Sequence, residues 1–224
     1  MIPPLLTVCD LAHRFAGRAE IAFGSFTLNA GSILLLRGES GCGKSTLLHL
    51  LGGVLSISAK SGSAVIDGRD IAAMTTSARD RLRPRLVGWM PQRQLMINSL
   101  SVLDNVLLPM ALSGGVDTEV RRRATSLLES LAIVELAAQR PTTLSVGQAA
   151  RACLARALLA KPKLLLADEP TAALDDASAQ LVAAQMRAFA AAGGAVLVSS
   201  HDRALRSLLE ADAVAAIDEL VLRR

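Results

Sequence analysis

The sequence predicts an α/β fold in which helices cover a parallel β-sheet. Two observations carry this prediction. From residue 148 onwards, short apolar segments alternate with longer segments of helical spacing, an order typical of parallel strands joined by helices. Near the start, the stretch GESGCGKST at 38–46 separates two apolar runs, which indicates a strand, a glycine-rich turn and a helix in succession. The 224 residues, 51% of them hydrophobic, suffice for one domain with a sizeable core.

The first part of the chain predicts a small β-rich region around the glycine-rich turn. Its apolar residues occur in short runs with partial alternation, and the last run ends at the turn Asp67-Gly68, as expected for strands. The predicted strands are residues 6–10, 21–28, 33–37 and 64–66.

A helical segment follows in the middle of the chain. Ser101 and Asp117 each precede a stretch with apolar residues at helical spacing, and Gly114-Gly115 separates the two stretches. Ser and Asp favour this position because their side chains accept hydrogen bonds from the first helical turn. The last part of the chain then predicts strands at 164–167, 195–199 and 213–217, and helices at 148–160, 175–191 and 202–210.

The glycine-rich turn fits the pattern G-x-x-x-x-G-K-[ST], which binds phosphate when a strand leads in and a helix leads out. Gly38, Gly41 and Gly43 allow positive φ, so that successive N–H groups can point at phosphate oxygens. Lys44 supplies charge for the β- and γ-phosphates, and the Ser45 hydroxyl can reach Mg²⁺. The residues expected to contact the nucleotide are Gly38, Ser40, Gly41, Cys42, Gly43, Lys44, Ser45 and Thr46.

The stretch KLLLADEP at 163–170 predicts a second part of the site. Asp168 follows a buried strand and so lies at the carboxyl edge of the sheet, where ligands bind in open α/β folds. From there it would reach the Mg²⁺ shell, and Glu169 would polarise a water for in-line attack on the γ-phosphate. The alternative is that the two acids cap a following helix.

These two motifs and four others resemble those of the ATP-binding cassette (ABC) ATPases. The others are MPQ at 90–92, LSVGQ at 144–148, AALD at 172–175 and SSHD at 199–202, and all six occur in the family's order. The resemblance covers nearly the whole chain. It implies a P-loop nucleotide-binding core with a parallel sheet, an antiparallel β-subdomain and an inserted α-helical subdomain. The P-loop is the glycine-rich turn at 38–46. Within one domain spanning 1–224, the core would comprise 1–92 and 150–224, and the helical subdomain 93–149.

The resemblance also implies roles for single residues. Glu169, His201 and Gln92 would be catalytic, and Ser45, Gln92 and Asp168 would hold Mg²⁺. Phe15 would stack on the adenine, and Asp175 would lie beside the nucleotide in the AALD stretch at 172–175, which matches the family's D-loop. Structural alternatives remain open: Gln92 as an exposed turn residue, His201 as a satisfied structural residue and Phe15 as a core residue.

The LSVGQ motif implies a partner. In the family, the residues matching Ser145, Gly147 and Gln148 bind the γ-phosphate held by the P-loop of a second subunit. The implied assembly is a head-to-tail homodimer with two ATP molecules between the chains. Val146 replaces the usual glycine and adds a β-branched side chain where backbone and phosphate should approach closely.

Composition excludes several classes of function. Aromatic residues make up 2% of the chain, with no Tyr and one Trp, so few side chains could stack on bases, and no nucleic-acid partner is expected. The three cysteines lack metal-ligand spacing and fit a reducing cytoplasm. The longest uncharged apolar run, 188–198, contains two glycines and is too short to span a bilayer, so another chain must supply any membrane span.

The cysteine within the glycine-rich turn carries a prediction of its own. Cys42 would lie near the positive end of a helix and near Lys44, and both favour the thiolate. We therefore expect Cys42 to react with alkylating agents faster than Cys9 or Cys153. The alternative is that its sulfur points into the apolar core.

Less specific motifs narrow the family resemblance. The stretches LLHLLGG, LSVLDNVLLP and ADEPTAALD are similar to small ATPase subunits of the lipoprotein-releasing, macrolide-export and cell-division group. This similarity implies an enzyme that hydrolyses ATP with Mg²⁺ and powers a separate membrane permease. It would be cytoplasmic, attached peripherally to the cytoplasmic face of the inner (plasma) membrane. The alternative is a cell-division type ATPase that regulates a membrane partner without transporting a substrate.

Overall fold

The described residues form two sheets and a set of helices. The computed structural model describes residues 3–58, 61–75, 78–79, 85–93, 95–211 and 215–222. The strands are β1 (Leu6–Arg14), β2 (Glu20–Leu28), β3 (Ser32–Arg37), β4 (Ser63–Ile66), β5 (Arg69–Asp70), β6 (Val87–Met90), β7 (Leu164–Asp168), β8 (Ala195–Ser199) and β9 (Ala216–Val221). The helices are α1 (Lys44–Leu51), α2 (Val102–Ser113), α3 (Thr118–Ser130), α4 (Val146–Leu158), α5 (Asp176–Ala191) and α6 (Arg203–Glu210), and short 3₁₀ turns cover Val134–Leu136 and Pro141–Thr143.

The smaller sheet is antiparallel, in the order β2-β1-β4-β5. Its first strand is longer than the predicted 6–10 because a bulge interrupts the alternation without ending the pairing. The register between β1 and β2 shifts between Val8 and Leu11, and Asp10 takes a φ of 47°. Ser25 on β2 closes the bulge, since its Oγ accepts from the Asp10 N–H and donates to the Asp10 carboxylate.

The larger sheet is parallel, in the order β6-β7-β8-β3-β9. All residues of β7 and β8 are buried, as expected for strands covered on both faces. Leu165 and Ala167 of β7 face one hydrophobic core, which includes residues of α4 and α5. Leu164 and Leu166 face the other, which lies between the sheet, α1 and the antiparallel sheet. The predicted α/β fold with a parallel sheet is confirmed.

The last strand differs from its prediction. We expected residues 213–217, whereas β9 runs from Ala216 to Val221; residues 213 and 214 lie outside the described residues. Among the described strands, β9 pairs with β3 alone, and its side chains are exposed or half-buried. This edge strand includes the acids Asp218 and Glu219, so it lacks a clear apolar pattern. The uncharged residues just before it have a stronger apolar pattern, and for this reason the sequence predicts the strand too early.

The middle helices begin where their capping residues predict. Ser101 accepts a hydrogen bond from the Asp104 N–H at the start of α2, and Asp117 accepts one from the Val120 N–H at the start of α3. The predicted boundary between 149 and 150 falls inside α4; the division into a core and a helical subdomain stays a prediction. No described helix is both long enough and apolar enough to cross a bilayer.

Candidate active site

A cleft of about 600 Å³ opens where the antiparallel sheet meets the carboxyl edge of the parallel sheet. The order of the strands explains its position, because β7, β8 and β3 are neighbours and all end at this edge. Most of the predicted site residues line it: Phe15, Ser40, Gly41, Cys42, Gly43, Lys44, Ser45, Thr46, Gln92, Asp168 and Glu169.

The glycine-rich turn wraps around its own lysine. Lys44 Nζ donates to the Gly38 carbonyl at 2.7 Å and to the Glu39 carbonyl at 3.0 Å. Gly43 precedes α1 with a φ of 104°, which favours glycine. A Cβ at Gly38 would lie 2.6 Å from both Cys42 Sγ and the Leu222 carbonyl oxygen. The loop thus needs glycine at these positions for its shape, and it leads directly into the N-terminus of α1, which favours an anion.

Two acids face this loop from the end of β7. Asp168 and Glu169 are both buried, and Glu169 takes the left-handed conformation with a φ of 48°, which costs about 1–3 kcal/mol for a residue other than glycine. Its N–H donates to both the Ser199 carbonyl and the Ser199 Oγ, each at 3.1 Å. These contacts hold the Glu169 backbone in the strained position that places its carboxyl group in the cleft.

The histidine predicted as catalytic contacts Glu169 from outside the cleft lining. His201 Nδ1 lies 2.9 Å from Glu169 Oε1, and the His201 N–H donates to Glu169 Oε2 at 3.3 Å. The imidazole is 70% exposed while the Glu169 side chain is 8% exposed. One face of the carboxylate is therefore fixed by His201, which itself does not line the cleft.

The predicted metal ligands lie together. Ser45, Gln92 and Asp168 come from α1, the segment after β6 and the end of β7, and all three line the cleft. Among the described residues, no group of three or more His, Cys, Asp or Glu side chains could hold a metal ion. The candidate donors are instead one hydroxyl, one amide and one carboxylate.

The far end of the cleft is aromatic and partly charged. Phe15 is 37% exposed, and the ring of His13 packs against its edge with centroids 4.6 Å apart. Arg18 and Glu20 also line the cleft. Sequence reasoning missed these two, because no motif marks them and only the pairing of β1 with β2 brings them to the cleft.

The residues of the LSVGQ motif lie outside the lining of this cleft. Ser145 caps α4: its Oγ accepts from the Gln148 N–H at 3.2 Å, and the Gln148 side chain accepts from the Ser145 N–H at 2.8 Å. Gln148 thereby has a structural role in this chain. Ser145 and Val146 are exposed, so both are available to another molecule.

Gly147 and Asp175 join two helix ends. A Cβ on Gly147 would lie 2.4 Å from Ser178 Oγ and 3.3 Å from Asp175 Oδ2, so glycine is needed for α4 to pack against the start of α5. Asp175 caps α5 by accepting hydrogen bonds from the Ser178 N–H and hydroxyl. These bonds hold the pKa of Asp175 below its usual value. Asp175, too, lies outside the cleft lining.

The structure places Cys42 beside Lys44, as expected, but it buries the thiol, which favours the alternative to the alkylation prediction. Cys42 is only 4% exposed, with its sulfur 4.0 Å from Lys44 Nζ, whereas Cys9 is exposed and Cys153 is buried. The apolar residues of β3, β9 and α1 surround the turn more closely than a local reading of the motif indicates.

We therefore expect Cys9, not Cys42, to be alkylated first. A buried thiol is reached only when the structure opens, and burial also raises the pKa of the Cys153 thiol, which nearby Arg156 lowers by less. Mass-spectrometric mapping after brief alkylation of the nucleotide-free protein checks the order. Faster labelling of Cys42 than of Cys9 would restore the sequence prediction.

Comparisons with known proteins agree with the motifs. Residues 24–172 match the family described as ABC transporter. An uncharacterized ABC transporter ATP-binding protein of Mycobacterium tuberculosis is 36% identical over 209 residues, which are 92% of this chain and 63% of that protein. The lipoprotein-releasing system ATP-binding protein LolD of Hyphomonas neptunium is 33% identical over 210 residues, covering 92% of this chain and 91% of LolD.

A third relative is longer. The macrolide export ATP-binding/permease protein MacB of Burkholderia pseudomallei is 36% identical over 206 residues, which are 90% of this chain and 31% of MacB. The chain thus spans less than two thirds of the length of this relative and of the mycobacterial one.

A solved structure shares the fold. The dimeric structure of a post-hydrolysis state of the ATP-binding cassette MJ0796, bound to ADP and Pi, superposes with a TM-score of 0.81 at 26% sequence identity. The match covers 98% of this chain and 97% of that one. The predicted combination of a parallel sheet, an antiparallel sheet and helices is therefore the cassette fold.

Proposed function

The chain belongs to the ABC transporter family, and from this premise we propose that it binds and hydrolyses ATP to power a separate membrane permease. The main support for this proposal is that two buried acids face a phosphate-binding loop across the cleft. A loop alone would support binding, whereas an acid placed to activate water adds hydrolysis.

The P-loop holds the triphosphate. Its N–H groups and the N-terminus of α1 provide partial positive charge, and Lys44 provides a full one. To reach the phosphates, the Lys44 ammonium exchanges its hydrogen bonds to the Gly38 and Glu39 carbonyls for phosphate oxygens. Phe15 offers an exposed ring face at the other end of the cleft, which suits stacking on adenine.

Glu169 activates the attacking water. Its carboxylate accepts a proton from the water as the water approaches the γ-phosphate in line with the leaving oxygen. His201 orients this carboxylate by contacting both of its oxygens. The buried setting keeps Glu169 in one arrangement.

Ser45, Gln92 and Asp168 would hold Mg²⁺. Their oxygen donors fit a hard cation, which prefers oxygen ligands and takes few of them from the protein when phosphates supply the rest. When bound, the ion neutralises charge on the β- and γ-phosphates.

A second copy of the chain completes the site. Ser145 and Val146 are exposed at the N-terminus of α4, outside the cleft, and a helix N-terminus favours an anion. In a head-to-tail homodimer, this end of one chain meets the γ-phosphate bound by the other, so ATP links the two chains. The dimeric state of the MJ0796 cassette supports this arrangement. Val146 would stand at that contact.

The permease would dock on a second, apolar groove. The groove has a volume of about 440 Å³ and lies between β6, α2 and α4. Among its lining residues, Leu112 is 80% and Val54 58% exposed. Apolar side chains exposed around one groove are typical of interaction sites. The name of MacB joins an ATP-binding and a permease function, which supports a membrane protein as the occupant. With that occupant, the chain would lie peripherally on the cytoplasmic face of the inner membrane.

The relatives' names favour transport over regulation of cell division. They refer to transporters, lipoprotein release and macrolide export. We therefore propose transport of a substrate, with contacts to that substrate made by the permease.

Leu112→Asp is expected to abolish permease binding while leaving ATP hydrolysis by the isolated chain unchanged. The new carboxylate would lose its contact with water when the groove is covered, and such burial is costly. Pull-down from detergent-solubilised membranes, followed by identification of the captured protein and a transport assay, checks this result. Val221→Asp is the matched control, because Val221 is 56% exposed and lies on the edge strand β9, away from the groove. Equal capture of one multi-span membrane protein by all three chains would place the permease elsewhere.

A further inference from the structure

One serine at the end of β8 contacts both acids of the cleft. Ser199 is fully buried, and its backbone pairs with Asp168 in the parallel register of β7 and β8. Its hydroxyl donates to Asp168 Oδ1 at 2.5 Å and accepts from the Glu169 N–H at 3.1 Å. A hydroxyl has one hydrogen to donate and two lone pairs to accept, so Ser199 makes both bonds at once.

The bond to Asp168 is of the strong kind. A hydroxyl that donates to a carboxylate at 2.5–2.7 Å forms a charge-assisted hydrogen bond, about twice as strong as one between neutral groups. It engages Oδ1 and leaves Oδ2 without a hydrogen bond to any described residue. Asp168 nonetheless lines the cleft. The hydroxyl thus fixes the rotation of the carboxylate and leaves one oxygen available.

The bond to Glu169 is duplicated by the backbone. The Glu169 N–H also donates to the Ser199 carbonyl at 3.1 Å. Removing the hydroxyl would therefore leave an acceptor for this N–H, and the contacts of the Glu169 carboxylate to His201 do not involve Ser199. Of the two acids, only Asp168 therefore depends on the Ser199 hydroxyl for its position.

We propose that Ser199 is a positioning residue that orients the Asp168 carboxylate for its divalent cation and so sets the Mg²⁺ concentration at which the protein works. The inference rests on the proposed ATPase function. Ser199 itself touches neither nucleotide nor cation, and it acts through Asp168. Without the hydroxyl, the carboxylate rotates more freely, and binding the cation must fix it.

The test compares Ser199→Thr with Ser199→Val. Thr and Val have nearly the same shape, and both suit a strand, so the strain of the added methyl groups is shared, while only Thr keeps the hydroxyl. Ser199→Ala removes the hydroxyl without adding bulk and serves if the larger side chains prevent folding. Two quantities are measured: phosphate release as a function of Mg²⁺ at saturating ATP, and the rise in melting temperature as Mg²⁺ is titrated into protein with ADP.

Loss of the hydroxyl is expected to raise the half-saturating Mg²⁺ concentration about tenfold in both measurements. A change of this size corresponds to the loss of about one hydrogen bond to a charged group. The rate at saturating Mg²⁺ should stay within about threefold of the wild type, because Glu169 keeps its contacts. The Ser199→Thr variant should keep the Mg²⁺ requirement of the wild type.

Equal Mg²⁺ requirements for the Thr and Val variants would overturn the proposal, and so would a Val or Ala variant that loses rate at saturating Mg²⁺ but keeps its cation requirement. A wild-type chain that neither hydrolyses ATP nor responds to Mg²⁺ would overturn the proposed function instead, and this is visible before any variant is compared.

Discussion

Glu169→Gln is expected to bind ATP as the wild type does but to release phosphate at least about a hundredfold more slowly, since general-base catalysis typically contributes a factor of 10²–10⁴. The amide has nearly the shape of the carboxylate, but it cannot accept a proton from the attacking water. Its side chain can still accept a hydrogen bond from the His201 N–H, the contact that the carboxylate makes at 3.3 Å, so the site should stay folded.

Single-turnover phosphate release, measured beside equilibrium binding of ATP, separates chemistry from affinity. Glu129→Gln is the control, because it makes the same chemical change at an exposed position of α3, outside the cleft lining. Phosphate release at the wild-type rate by Glu169→Gln would show that another group activates the water.

Ser145→Arg is expected to leave ATP binding by the single chain unchanged and to abolish association of two chains. Ser145 is exposed at the start of α4, so an arginine fits the monomer but blocks close approach of a second molecule. The change also removes the helix cap, which costs about 1 kcal/mol. Ser145→Asp separates the two effects, because Asp caps a helix well yet repels the γ-phosphate.

Lys44→Ala provides the opposite pattern in the same assays. It removes the ammonium group proposed to bind the phosphates, and one hydrogen bond to a charged group is worth about 1.5–3 kcal/mol, or about a tenfold to hundredfold loss of affinity. Ser145→Arg should show no such loss. If the two variants lost nucleotide affinity equally as monomers, both residues would belong to one site within a single chain.

The parts of the site predicted from sequence are those in which neighbours along the chain are also neighbours in space. The P-loop from Gly38 to Thr46 is one turn between a strand and a helix, and Asp168 and Glu169 follow one buried strand. Local patterns carry enough information for both. His201 could be placed because it follows the next strand, β8.

The features that sequence missed depend on packing between distant segments. The bond from Ser199 to Asp168 requires the register of β7 against β8, and nothing in the local sequence marks that serine. Burial of Cys42 depends on the segment around Leu222, about 180 residues further along the chain. Gly147 fits the family motif, but the structure needs glycine there because a side chain would clash with α5.

Whether two chains share each ATP is best decided by sedimentation of the Glu169→Gln protein. With Mg²⁺ and ATP, this protein should sediment at twice the monomer mass, because the unhydrolysed nucleotide keeps the chains together. ADP without phosphate in place of ATP, or Ser145→Arg added to Glu169→Gln, should return the monomer. A protein that binds ATP but keeps the monomer mass, or a dimer that persists with the arginine in place, would contradict the shared site.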